Sequence, residues 1–186
     1  MEAASEINAF IERWRSSGGS ERANFQRFAI ELTQVLGVEQ PAVATSDDQN
    51  DHYRFERPVD FGPTSTRSHG FIDLYRKGCF VLEAKQGTEG KPKQDPNQLS
   101  MLMDDAPKQT RVGHGVRGTR RWDDTMLKAR NQADRYARAV AREDGWPPFL
   151  LVVDVGHVIE VYADFSGQGE PPPLKWSAPI VRKAED

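Results

Sequence analysis

Two carboxylates and a lysine, Asp73, Glu83 and Lys85, stand in the stretch of this chain whose residue types and spacing suit hydrolytic chemistry, GFIDLYRKGCFVLEAKQ at 70–86. Side chains two apart on a strand share a face, so Glu83 and Lys85 point one way while Leu82 and Ala84 point into the opposite layer. Asp73 lies on the preceding strand, between Ile72 and Leu74. Carboxylates set among apolar residues are unfavourable unless something pairs them. Lys85 can pair with one; a divalent cation pairs with both. Two carboxylates can hold Mg2+, a hard ion that takes oxygen ligands, and the Ala84 carbonyl is placed to be a third protein ligand. Such an ion lowers the pKa of its water and neutralises charge building on a phosphate, as phosphodiester hydrolysis requires. Mn2+ is expected to substitute for it. The Lys85 ammonium would orient the attacking water and stabilise the transition state. A Glu-x-Lys pair alone is ordinary surface; Asp73 ahead of it, the apolar strands and the adjoining Gln86 set this one apart.

Joint use of Asp73 and Glu83 constrains the turn between them. A two-residue hairpin at Lys77-Gly78 would set Asp73 opposite Leu82 and send Glu83 to the other face, because a one-residue slip reverses every side chain. A shared ion therefore predicts a three-residue connection over Lys77-Gly78-Cys79, or a bulge in either strand.

The elements that must position this hairpin follow from periodicity. Ile7, Phe10, Ile11 and Trp14 recur at helical spacing over 7–15, and Phe25, Phe28, Leu32, Val35 and Leu36 over 20–36, with Ser20 as a cap and Gly37 as the stop. Tyr53, Phe55, Val59 and Phe61 suggest an edge strand, which tolerates Pro58. After the hairpin, 87–121 is rich in Gly, Pro and Lys. A helix capped by Asp123 or Asp124 is expected to run to about Glu143, with Met126, Leu127, Ala133, Tyr136, Ala137 and Val140 inward. Phe149–Val155 is a continuous apolar run, hence a central strand, and Val158–Phe165 alternates. The order is an α/β (α+β) layer arrangement, a mixed sheet of about five strands flanked by helices. Residues 1–166 form the expected domain; 167–186, with Pro171-Pro172-Pro173, reads as a tail or linker.

Composition sets limits. A length of 186 residues allows one domain with a real core. A single cysteine, Cys79, excludes a disulfide framework, and no run reaches the roughly 18 apolar residues of a membrane helix. A cytoplasmic setting is expected. The net charge of −3 does not advertise a polyanion partner. Local field matters more than net charge, however, and 91–121 holds seven basic residues against three acids. Gln86, Arg117, Arg120 and Arg121 are the candidate DNA contacts. The four histidines are scattered and lack zinc-ligand spacing.

Gln132 and Tyr136, four apart on a helix and so on one face, join the candidate catalytic set. After a Glu-x-Lys strand they resemble the Gln-x-x-x-Tyr motif of RecB-type nucleases. Glu31 could add a carboxylate to the metal site, though a partly exposed helix glutamate is the more ordinary account. The hairpin itself resembles the active-site core of PD-(D/E)XK nucleases, and implies a restriction-endonuclease-like fold. Asp73-x9-Glu83-Ala84-Lys85, then Arg117-Gly118-x-x-x-Trp122-Asp123, the Gln132/Tyr136 helix and FLLVVDVGHVIEVYADF at 149–165 together resemble the N-terminal nuclease domain of MmeI-like type IIG restriction-modification enzymes. The similarity spans roughly 8–166. It implies a Mg2+-dependent endonuclease domain acting on double-stranded DNA in bacterial defence. Methyltransferase and target-recognition parts would be supplied elsewhere, and dimerisation is one route to double-strand cleavage. Two other functions fit the same residues: a RecB-like exonuclease or repair nuclease, and a catalytically silent DNA-binding module.

Overall fold

The computed structural model describes residues 2–17, 21–43, 52–61, 69–88, 115–164 and 174–179. Helices α1 (Glu2–Arg15) and α2 (Glu21–Leu36) precede strands β1 (Tyr53–Asp60), β2 (His69–Arg76) and β3 (Phe80–Lys85). Helix α3 (Arg120–Asp144) and strands β4 (Phe149–Asp154), β5 (Val158–Ala163) and β6 (Leu174–Pro179) follow. The strands form one mixed sheet in sequence order. Every neighbouring pair is antiparallel except β3 and β4, which run parallel. The long connection through α3 permits that parallel junction. The stretch expected to be a tail therefore carries a sixth strand at 174–179, paired with β5. No helix among the described residues is long and apolar enough to cross a membrane.

The sheet separates two cores. On one face α3 brings Met126, Ala129, Ala133, Tyr136, Ala137 and Val140 against strand residues such as Ile72, Tyr75, Val81, Leu150 and Val152. On the other, Phe10, Trp14, Phe25 and Phe28 from α1 and α2 cover Leu74, Leu82, Ala84, Val153 and Val155. Burying one such side chain, Phe28 at 1% exposure for instance, contributes about 1.5–3 kcal/mol. Leu127, expected inward, is exposed.

The helix ends have identifiable causes. Helix α2 stops where Gly37 N–H and Val38 N–H turn back to the carbonyls of Gln34 and Thr33, at 3.1 Å each. Its proposed cap, Ser20, lies outside the described residues. Helix α3 starts earlier than its acidic residues suggest: Thr119 is the cap, its hydroxyl accepting from Trp122 N–H, so Arg120, Arg121 and Trp122 form the first turn. Pro58 sits in β1, at the sheet edge as expected.

Candidate active site

The β2–β3 ladder pairs Leu74 with Leu82, Tyr75 with Val81 and Arg76 with Phe80, across a connection of three residues, Lys77-Gly78-Cys79. This is the even register, and one further step along it sets Asp73 opposite Glu83. The ladder stops short of that step. Instead the Asp73 carboxylate takes the place of a strand partner, its Oδ2 accepting from the Ala84 N–H at 2.7 Å.

A second irregularity lies on the other side of Asp73. Ile72 packs in the α3 core while Leu74 packs in the α1/α2 core, although residues two apart on a flat strand share a face. The strand turns over between them. The β1–β2 ladder keeps one register throughout but skips the pair Glu56 and Asp73, and Glu56 is the one described non-glycine residue with positive φ, at 52°. Both strands twist at that position, and Asp73 is the residue presented there.

Glu83 is 1% exposed and its Oε1 takes the Lys85 ammonium at 2.6 Å. The same ammonium donates to the Ala84 carbonyl at 2.7 Å. An anionic and a neutral oxygen thus converge on one cation. That pair of donors, with a carboxylate from Asp73 beside it, is the oxygen set a hard divalent ion takes. Burial pushes the Asp73 carboxyl above its ordinary value, against the pull of the Ala84 N–H and the Lys85 charge.

Helix α3 contributes the remaining pair. Gln132 Nε2 donates to the Tyr136 hydroxyl at 3.2 Å, and the ring stacks on Phe61 at 5.6 Å. Burial raises the Tyr136 phenol, and the charges of Glu83 and Asp73 raise it further, while Gln132 and the Phe71 N–H lower it. Tyr136 therefore stays a neutral hydroxyl within the field of both carboxylates.

Other candidates fall elsewhere. Glu31 is not brought to the hairpin: Arg27 and Arg13 pair with it at 2.9 Å and Trp14 Nε1 donates to it at 2.9 Å, so it clamps α1 to α2. Burial would raise its carboxyl, but those three donors leave it lowered. Its donors come from the two helices, which is why it serves their packing. Gln86 is buried, with Asn24 of α2 reaching its Oε1 at 3.4 Å. Arg117 keeps 8% of its side chain exposed and is committed to Asp154, at 2.9 and 3.0 Å. Arg120 and Arg121 alone of the four candidate DNA contacts stand exposed, on the first turn of α3. Most of the basic stretch, 89–114, lies outside the described residues. Asp154 is a functional residue that the sequence marks only weakly, as a lone aspartate closing the apolar run FLLVV. Among the described residues no cluster of three or more His, Cys, Asp or Glu could hold a metal ion.

No match is found among curated proteins or solved structures. A family model described as MmeI, N-terminal domain, matches residues 2–178, nearly the whole chain that builds this sheet and its helices. The chain belongs to the MmeI N-terminal domain family.

Proposed function

We propose that the chain is the nuclease domain of a restriction-modification enzyme, hydrolysing double-stranded DNA with a divalent cation, Mg2+ with Mn2+ as a substitute. The observation that carries this is the convergence of Glu83 Oε1 and Ala84 O on the Lys85 ammonium, with the Asp73 carboxylate beside them on the Ala84 N–H. Membership in the MmeI family supports the restriction-modification setting.

Asp73, Glu83 and the Ala84 carbonyl would hold the ion. When bound, it lowers the pKa of coordinated water and neutralises charge on the phosphate. Lys85, released from Glu83 Oε1 and Ala84 O, can turn its three donors to the attacking water or a non-bridging phosphate oxygen. The Tyr136 hydroxyl, held by Gln132, can orient the scissile phosphate from the α3 layer that covers the same face. Arg120 and Arg121 would meet the flanking backbone as sequence-independent contacts. Base reading falls to target-recognition parts, and adenine methylation to a methyltransferase, both supplied elsewhere. Two copies of such a site would cut two strands.

The test is a closed circular plasmid with Mg2+ or Mn2+, followed by end mapping. Nicking and linearisation without fixed sequence, lost in Asp73→Ala and in chelator, is the expected result. Degradation of linear DNA with the circle untouched would identify a RecB-like exonuclease instead. Binding without cleavage, and no heat on titration with either ion, would identify a silent DNA-binding module.

A further inference from the structure

Asp154 ends β4 and is fully buried, at 0% exposure. Four donors meet it, two on each oxygen. Gly87 N–H lies 2.8 Å and Arg117 Nη2 2.9 Å from Oδ1; Arg117 Nε lies 3.0 Å and Trp122 Nε1 2.7 Å from Oδ2. A carboxylate offers about four acceptor positions, so this one is saturated. That explains how its charge is tolerated in the core, and it leaves no oxygen for a metal.

What Asp154 holds is the end of β3. Lys85 is the last residue of that strand and the register partner of Asp154 in the parallel ladder. The Lys85 carbonyl accepts from Val155 N–H at 2.8 Å, and Arg117 Nη2 donates to the Val155 carbonyl at 2.9 Å. Two residues beyond Lys85, the Gly87 amide is fixed on Asp154, so closely that a Cβ at 87 would lie 2.8 Å from Oδ2. The chain returns to the same place: Thr88 bridges Val116, and Arg117 N–H donates to the Thr88 carbonyl at 3.0 Å. The backbone from 85 to 87 is thereby braced from both sides, immediately after the ammonium that bridges Glu83 and Ala84.

We propose that Asp154 is the positioning residue for Lys85, acting through Gly87 and through a clasp made by Arg117 and Trp122. The Arg-Gly-x-x-x-Trp motif is then a brace for the catalytic strand rather than a DNA contact. The claim rests on the nuclease reading for its kinetic half only.

Trp122→Phe keeps the ring and removes one donor; Asp154→Asn keeps the shape and replaces one acceptor oxygen by a donor. In each, the Lys85 amine is labelled with a small acylating reagent and quantified by peptide mass spectrometry against the exposed Lys128. Cleavage is measured as kcat and KM for DNA. In Trp122→Phe, loss of one charge-assisted hydrogen bond should raise Lys85 labelling roughly tenfold relative to Lys128 and lower kcat by a similar factor, with KM unchanged; Asp154→Asn, which loses the two bonds on one oxygen and the charge behind the others, should do at least as much. Labelling at the wild-type rate in a folded variant overturns the proposal. So does a rise in KM at constant kcat, which would make the clasp a DNA contact, and so does failure of both variants to fold, which would make it a folding strut. If the wild-type protein does not cleave DNA, the nuclease reading fails while the labelling still decides the role of Asp154.

Discussion

Replacing Lys85 by Met isolates the electrostatics of the candidate site, because the stem is kept and the charge removed. Glu83 is 1% exposed, and Lys85 retains 15% exposure of its side chain while holding Oε1 at 2.6 Å. Removing one partner of a buried pair costs about 3–5 kcal/mol, and the partial exposure of Lys85 sets the value near the lower end, about 3 kcal/mol. For a chain of this length, about 2–4 °C per kcal/mol gives a fall in Tm of about 6–12 °C in chelator. Metal should reverse much of that fall. An ion at a hundredfold excess over its Kd stabilises by about 2.7 kcal/mol. In the wild-type protein the same ion must first displace the ammonium from Glu83 Oε1 and Ala84 O, so its gain is smaller. Thermal melts without DNA, with and without Mn2+, measure both quantities. A variant that melts within about 2 °C of wild type in chelator would refute the buried pair. An equal metal-induced gain in both proteins would refute the shared oxygen set.

Three further outcomes are expected. Arg120→Ala with Arg121→Ala should make the dependence of log K for DNA on log salt shallower by up to about two, since each phosphate contact contributes about 0.9; an unchanged slope returns the head of α3 to ordinary surface. The Asp144 carboxyl is raised by burial but lowered more by Lys77, Tyr75 and Arg57, for a net shift below the ordinary 3.8. Its contribution is therefore present above that pH and lost as pH falls through the lower folded value, so Asp144→Asn should destabilise by about 2 kcal/mol at pH 7 and by progressively less below pH 4. A difference from wild type in urea unfolding that is independent of pH would contradict this. Gly156 has φ of 77° and its added Cβ would meet the Trp14 carbonyl at 2.2 Å, so Gly156→Ala should lose about 3 kcal/mol or more in the same assay; undiminished stability would mean that the β4–β5 turn does not dock on α1.

The hairpin was legible because two constraints had to agree. Strand alternation fixed the faces of Glu83 and Lys85, and a shared ion demanded the even register, which Lys77-Gly78-Cys79 provides. The Gln132/Tyr136 face followed from helical spacing and was found turned to the same carboxylates. Pairings between distant segments were not legible. Asp154 gives no local sign that Gly87, Arg117 and Trp122 converge on it, and Arg117 in a basic stretch looks like surface until its carboxylate is known. Glu31 sits on α2 at a helical position that fits either core side of the sequence pattern; only the arrival of Arg13 and Trp14 from α1 decides it. The Thr119 cap is masked in the sequence by the acidic pair at 123–124, the stronger local capping signal. The sixth strand was hidden by the prolines that precede it.

The parallel junction between β3 and β4 also bears on the order in which the molecule can assemble. Glu83 pairs with Val152, about 70 positions along the chain, whereas β1 to β3 form a local meander. Non-local pairing is slow, since the chain closure must come before the contacts that reward it. On the ribosome, β1, β2 and β3 follow α1 and α2 out, and β3 then presents an open hydrogen-bonding edge until α3 and β4 have been made. That edge is the apolar strand carrying Glu83 and Lys85, flanked by Val81 and Leu82. The strand that would do the chemistry is thus the one left exposed longest to mispairing during synthesis, and fragments ending before 149 should aggregate where the completed sheet does not.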